Sequence, residues 1–143
     1  MPLIQVTATQ GSISETEQQA LMQQLSNAVL KAEHAPVDDA GAQSLVWAYF
    51  HELPENAVYV GGENLNSAPL RIAVTTPEGA LNEATRKSLV EEVAAIVNDI
   101  VGPFDGRLNH WVMLSELDEG SWAGAGQIFH LADIQAAMSI KAN

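Results

Sequence analysis

The sequence predicts an α+β fold in which two tandem β-α-β units form one four-stranded sheet, with two helices on one face and a short hairpin after each unit. Two observations support this prediction: the order strand, helix, strand, hairpin occurs twice, and several residue landmarks recur in that order. The chain has 143 residues, enough for one domain with a single core. We therefore expect one domain over 1–143, with internal repeats at 2–66 and 69–130 and a C-terminal tail at 131–143.

The first unit begins with a strand at 2–9, where apolar and polar residues alternate loosely. Ser14 and Glu17 form the pattern of a capping box, which predicts the start of a helix. Its apolar residues recur at helical spacing: Leu21, Leu25, Ala28, Val29 and Ala32. Turn-forming residues predict a loop at 35–44. The apolar run 45–50 predicts a strand covered on both faces, and a hairpin follows it.

The second unit repeats this order. Its first strand, 69–76, matches 2–9 down to a shared Pro-Leu pair. Asn82 can cap a helix that Gly102-Pro103 ends, and the strand 110–115 follows. Each unit also places a tryptophan five residues before a Glu-Leu pair. Two helices at similar spacing arise by chance, whereas ordered landmarks rarely do, so the sequence indicates a duplication.

The predicted sheet has one face without cover. Each β-α-β unit has parallel strands and a right-handed crossover, which puts both helices on the same face. The other face carries largely apolar residues, whose exposure to water would be costly. We therefore expect association between chains, with the hairpins sealing the sheet edges of a neighbour.

Composition excludes several classes of protein. Six basic residues against 18 acidic ones give a net charge of −12, which argues against nucleic-acid binding and against anionic membranes. No apolar run reaches the roughly 18 residues of a membrane helix. The chain has no cysteine, which excludes disulfides and thiolate sites and fits a cytoplasmic location. Its four histidines show no metal-ligand spacing, so we expect no metal.

The repeat, its landmarks and the opening Met1-Pro2 together resemble the tautomerase superfamily, in particular 4-oxalocrotonate tautomerase (4-OT) in its fused, double-length form. The segments NAVYVGG and HWVML are similar to the cis-3-chloroacrylic acid dehalogenase group. The resemblance implies a reaction without a cofactor. It also implies a homotrimer, whose inward-packed sheets would cover the open apolar face.

The resemblance further implies that Pro2 is a general base once Met1 is removed. Pro2 then carries a secondary amine, and burial in an apolar pocket lowers the pKa of such an amine toward neutrality. This base can take a proton alpha to a carbonyl and return it at another carbon. A proline that merely begins an edge strand is the alternative interpretation, although the repeat favours the base. A retained Met1 would turn the nitrogen into an amide without basicity.

The sequence departs from the family in its cations. Arginines that hold substrate carboxylates in the family correspond here to Gly11, Ser12 and Trp47. We predict an aromatic pocket instead, with five substrate-binding residues: Trp111, Met113, Trp122, Tyr49 and Arg71. Such a pocket suits a small enolisable carbonyl compound, a 2-oxo acid such as phenylpyruvate. The alternatives are a barrel core for the aromatic residues and a solvated surface role for Arg71 and Arg107.

Three functions follow from these patterns. The first is a cofactor-independent keto–enol tautomerase that acts on a small molecule through Pro2. The second is a catalytically silent trimer that serves as a binding or structural module, which the missing arginines favour. The third is a ferredoxin-like dimeric domain such as a small cofactorless oxygenase, which has no use for Pro2 or for the hairpins.

Overall fold

The computed structural model describes residues 1–140 and confirms the predicted α+β architecture. The first unit contains β1 (Leu3–Thr9), α1 (Glu15–Ala32), the short α2 (Ala40–Leu45), β2 (Trp47–Leu53) and a hairpin of β3 (Tyr59–Val60) and β4 (Glu63–Asn64). The second unit contains β5 (Leu70–Pro77), α3 (Glu83–Ile100), β6 (His110–Leu117) and a hairpin of β7 (Ala123–Gly124) and β8 (Gln127–Ile128). A last helix, α4 (Leu131–Ala137), follows.

The central sheet has the strand order β2-β1-β5-β6. Within each unit the strands are parallel, and the two units meet through the antiparallel pair β1 and β5. Helices α1 and α3 lie against one face and bury alternate strand residues, namely Ile4, Val6, Ala8, Leu70, Ile72 and Val74. The opposite face has no cover within residues 1–140, so the exposed face expected from the sequence is present.

Side-chain caps start both long helices where the sequence predicts them. The Ser14 hydroxyl accepts a hydrogen bond from the Glu17 backbone N–H (3.2 Å) and donates one to the Glu17 carboxylate (2.9 Å). The Asn82 side chain accepts from the Thr85 N–H, and the Thr85 hydroxyl accepts from the Asn82 N–H, both at 2.9 Å. These bonds satisfy backbone donors that a helix start leaves unpaired.

Two sequence expectations for the first unit are wrong. The segment 35–44 is not a loop throughout, because Asp39 caps the six-residue α2, which is too short to show a periodic pattern. Strand β2 is not covered on both faces, since it lies at the sheet edge and the Trp47 side chain is 62% exposed. An apolar run indicates burial, but it does not identify the element that provides it.

The repeat alignment needs a correction of one residue. Leu3 lies opposite Trp47 in the first unit, and Arg71 lies opposite Trp111 in the second. Arg71 therefore corresponds to Leu3, and Leu70 corresponds to Pro2, so the shared Pro-Leu pair does not occupy equivalent positions. The physical reason is the alternation of strand side chains, because a shift of one residue would turn the buried residues of β5 away from the helices.

The segment assigned to a C-terminal tail contains α4, and residues 141–143 of that tail lie outside the described residues. Ile134 and Met138 of this segment are buried, and they pack with Leu30, Ala35 and Ala42 into a second, smaller core. No helix within residues 1–140 is long and apolar enough to cross a membrane.

Two neighbouring residues of α1 test the main core. Leu25 is 1% exposed in the core between α1 and the sheet, whereas Gln24 is exposed. We expect Leu25→Ala to lower the free energy of unfolding by about 2–5 kcal/mol, because it leaves a cavity that the neighbours fill only in part. Gln24→Ala should change it by less than about 0.5 kcal/mol. Urea denaturation of both variants measures the difference, and equal losses would contradict the assigned packing.

Candidate active site

A cavity of about 540 Å³ opens at the N-terminal end of β1. Pro2 directly precedes this strand, is buried, and lines the cavity together with Met1 and Leu3. The Pro2 carbonyl accepts a hydrogen bond from the Trp47 backbone N–H at 3.1 Å. Because β1 and β2 are parallel, this bond brings the start of β2 beside Pro2.

Four aromatic side chains line the same cavity: Trp47, Tyr49, Trp122 and Phe129. The first two belong to β2, and the other two belong to the hairpin of the second unit. The Phe129 N–H donates to the Trp122 carbonyl at 2.9 Å, which closes this hairpin. A Cβ atom at Gly124 would lie 3.3 Å from the Phe129 ring, so glycine lets the ring pack closely against the hairpin. The second unit thus covers the strand ends of the first.

Helix α4 holds this hairpin in place. The Glu119 carboxylate accepts a hydrogen bond from the Leu131 N–H at 3.1 Å and lies 2.9 Å from His130 Nδ1. Trp122 and Phe129 also pack against the small core that Ile134 forms with its neighbours. The aromatic wall of the cavity is therefore supported by α4, which lies in the segment that the sequence predicts to be a tail.

A buried carboxylate lies beside the N-terminus. The Met1 ammonium is 3.5 Å from Glu33 Oε2, and the Glu33 side chain is only 1% exposed. Its second oxygen, Oε1, is buried and has no hydrogen-bond partner within residues 1–140. Burial raises the pKa of Glu33, while the ammonium opposes that change. Burial likewise lowers the pKa of the Met1 amino group, against the pull of Glu33.

Sequence reasoning missed Glu33 as a functional candidate. Glu33 lies at the C-terminal end of α1, where a charged residue ordinarily faces solvent. The sequence feature that could have indicated its burial is the apolar neighbourhood, since Ala32 and Ala35 are both buried. The Met1 nitrogen packs against that position and lies 2.7 Å from Met138 Sδ, so contacts between distant parts of the chain meet at the buried carboxylate.

The structure divides the predicted site residues between two places. Pro2, Tyr49 and Trp122 come together in the cavity at the start of β1. Arg71 and Trp111 line a second cavity, at the start of β5. Met113 is 38% exposed on the open sheet face and lines neither cavity. Its role in substrate binding stays a prediction.

The cavity at Pro2 is apolar and has few cations. Among its lining residues in the described chain, none is a lysine or an arginine. The Trp47 indole N–H donates to the Ser44 carbonyl at 3.2 Å, so this donor is already used. The amino group at the start of the chain is therefore the charge-bearing group of the cavity. Such a site can hold an apolar carbonyl compound against a single amine.

Solved structures of fused 4-OT proteins and of related proteins share this fold of two β-α-β units with hairpins. The Q0 fused 4-OT wild-type symmetric trimer is 23% identical to this chain, with a TM-score of 0.70 over 94% of this chain and 98% of that one. N1, a member of the cis-3-chloroacrylic acid dehalogenase family, is 17% identical, with a TM-score of 0.69 over 88% and 82%.

A macrophage migration inhibitory factor-like protein from Entamoeba histolytica has the same fold, with 13% identity and a TM-score of 0.67 over 90% of this chain and 98% of that one. No protein-family profile and no curated protein matches the sequence. At these identities the likeness establishes the fold, and the fold-level resemblance seen in the sequence is confirmed.

The buried carboxylate makes a prediction about stability. The pKa of Glu33 in the folded protein lies above its ordinary value of 4.5, so the folded chain keeps this proton to higher pH than the unfolded chain does. Ionisation of Glu33 therefore lowers the free energy of unfolding as the pH rises above about 4.5, until it passes the folded pKa. With Met1 in place, we expect the free energy of unfolding of Glu33→Gln to fall less than that of the wild type as the pH rises above about 5.

Urea denaturation across this pH range measures the effect. Glu92→Gln is the matched control, because Glu92 is a surface carboxylate 3.7 Å from Lys31 Nζ, and such pairs contribute little to stability. The control should keep the pH dependence of the wild type. The same pH dependence in Glu33→Gln as in the wild type would contradict the assigned burial of the carboxylate.

Proposed function

We propose that this protein is a cofactor-independent keto–enol tautomerase that acts on a small enolisable carbonyl compound, a 2-oxo acid such as phenylpyruvate. Pro2 is the general base, after removal of Met1. The observation that carries the proposal is the position of Pro2, buried in an aromatic cavity of about 540 Å³ that the second hairpin covers. That cavity has room for a phenyl ring and a carbonyl group.

The reaction needs one base that can return its proton. In the direction from ketone to enol, the Pro2 nitrogen takes a proton from the carbon next to the carbonyl, and the carbonyl oxygen gains a proton from water. The protonated amine then gives its proton to the hydroxide that remains, which regenerates the base. In the reverse direction the protonated amine donates to carbon, and the hydroxyl proton returns to water. In this proposal burial lowers the pKa of the Pro2 amine, as it lowers the pKa of the Met1 amino group at this same end of the chain.

Removal of Met1 also enlarges the apolar part of the cavity. The Met1 side chain packs against the small core that contains Leu30 and Met138, and it lines the cavity as well. The space that it occupies is therefore continuous with the site and apolar. A substrate with a phenyl or alkyl substituent would fill this space, which supports an aromatic 2-oxo acid over a dicarboxylate.

Glu33 is a positioning residue in this proposal. Its carboxylate lies 3.5 Å from the Met1 nitrogen, and the Pro2 nitrogen is one residue further along the chain. A negative charge near the amine favours the protonated form and raises the pKa of Pro2, whereas burial lowers it. The two effects oppose each other, so Glu33 sets the pH at which Pro2 becomes a base.

We further propose that the protein is a homotrimer. Large apolar side chains, including Trp47, Met113 and Trp111, are exposed on the open sheet face. Exposed apolar area of this extent is typical of an interface between chains. The Q0 fused 4-OT protein, which has the same fold, is a symmetric trimer.

A catalytically silent trimer is the second candidate function. The observation that favours it is the lack of lysine and arginine among the described residues that line the Pro2 cavity, because an anionic substrate then has no cation to hold its carboxylate. This alternative predicts no keto–enol activity from protein whose Pro2 amine is free. The proposed tautomerase requires that activity.

The test of the general base is Pro2→Ala. Protein with Met1 shown to be absent by mass spectrometry should convert enol phenylpyruvate to its keto form, followed by ultraviolet absorbance. Pro2→Ala should lower kcat/KM by about 10²–10⁴, the usual contribution of a positioned base. Pro54→Ala, at an exposed turn, is the control and should keep full activity. Full activity in Pro2→Ala, or none in the processed wild type, would refute the proposed reaction.

The role of Glu33 has a separate readout in the pH profile. Glu33→Gln removes the negative charge near the amine, so the pKa of Pro2 should fall and the acidic limb of kcat/KM should move to lower pH by about one unit. Glu33→Asp keeps the charge and should restore the limb toward that of the wild type. A purely structural role would lower the rate at every pH and leave the limb in place, which is the result that would exclude positioning by Glu33.

A further inference from the structure

A second cavity, of about 600 Å³, opens at the start of β5 and is the counterpart of the Pro2 cavity under the internal repeat. Pro69, Leu70 and Arg71 line it, in the positions that Met1, Pro2 and Leu3 take in the first cavity. Trp111 corresponds to Trp47, and the hairpin of the first unit covers this cavity as the second hairpin covers the other. The two repeats thus form two cavities from equivalent strand starts and hairpins.

The second cavity has no base at the position of Pro2. The equivalent nitrogen belongs to Leu70, which is an amide within the chain and donates a hydrogen bond to the Asn109 carbonyl at 2.9 Å. An amide nitrogen in a ladder bond cannot accept a proton at neutral pH. The proton transfer proposed for the first cavity is therefore not available at this equivalent position.

The second cavity is instead lined by arginine side chains. The chain has three arginines, and two of them, Arg71 and Arg107, line it. Arg71 is exposed, and it makes no ion pair within residues 1–140. Arg107 lies over the Phe104 ring at 4.3 Å and donates through Nη2 to the Ser67 carbonyl. Its Nη1 is buried and has no hydrogen-bond partner in the described chain.

Apolar surface surrounds these two guanidinium groups. Three large side chains of the cavity are mostly exposed in the single chain: Tyr59 at 61%, Leu108 at 69% and Trp111 at 66%. Trp111 also lies on the open sheet face, so in the proposed homotrimer this wall of the cavity belongs to the interface between chains. His110 also lines the cavity, and burial lowers its pKa, so the ring adds no charge at neutral pH. The site therefore offers two fixed positive charges beside aromatic and aliphatic walls.

We propose that this cavity binds a small aromatic monocarboxylate without transforming it. A guanidinium group presents paired N–H donors that match a carboxylate, and Trp111 and Tyr59 offer surfaces for an aromatic ring. The net charge of −12 repels anions in proportion to their charge, which favours a monoanion over a phosphate ester or a dicarboxylate. This proposal does not depend on the activity of Pro2.

The three tryptophans allow each cavity to be followed separately. Trp47 and Trp122 line the first cavity, and Trp111 lines the second. In two-dimensional NMR of the full-length protein, the three indole N–H signals can be assigned from single Trp→Phe variants. The probe is 3-phenylpropanoate, which has the carboxylate and the ring but no ketone. Its neutral analogue, 3-phenylpropanamide, separates charge recognition from apolar contact.

We expect 3-phenylpropanoate to shift the Trp111 signal in a saturable way and the amide to shift it at least tenfold more weakly. Arg71→Gln should weaken carboxylate binding by about tenfold, because it removes a charge-assisted hydrogen bond. Arg86→Gln is the matched control, since Arg86 pairs with Glu116 outside the cavity and its loss should leave binding unchanged. The site is refuted by an unmoved Trp111 signal, by equal affinity for the amide, or by equal weakening in both arginine variants.

Discussion

The antiparallel pairing of β1 with β5 is the contact on which the rest of the structure depends. It joins Leu3–Thr7 to Arg71–Thr75 through five residue pairs and makes one sheet from two units. Each unit alone has only two strands of this sheet, and its strand ends are left open. The antiparallel ladder turns the second unit around, so the hairpin of each unit reaches the strand ends of the other. Both cavities result from that exchange.

The two cavities have equivalent backbone surroundings but different side chains. At the start of β1 the apolar residue Leu3 lines the cavity, and the buried carboxylate of Glu33 lies beside the amino group of Met1. At the start of β5, Arg71 takes the corresponding position. In the proposed function only the first end supplies a base, because Leu70, at the position equivalent to Pro2, contributes an amide N–H that donates to the Asn109 carbonyl. The duplication thus allows the two ends to carry different groups, the proposed base at one and arginines at the other.

Local patterns predicted the elements that depend on local forces. Ser14 and Asn82 start the two long helices because their side chains bond to backbone groups three residues away, which the sequence displays directly. The buried stripe of α1, including Leu25, follows from helical periodicity in the same way. Short α2 and the docking of α4 were missed, since neither has enough residues to display a period, and the burial of Ile134 depends on distant parts of the chain.

By itself, the sequence determined the duplicated architecture, the acidic surface and the presence of a proline at position 2, because composition and periodicity are properties of the chain alone. Only the tertiary structure decided which side chains meet. It separated Arg71 and Trp111 from Pro2, and it enclosed Glu33 beside the amino terminus. The physical reason is the antiparallel pairing of β1 with β5, which sets Arg71 opposite Thr7 and so places the start of β5 at the other end of the sheet from Pro2. No local pattern in the sequence specifies that pairing, because it joins residues far apart in the chain.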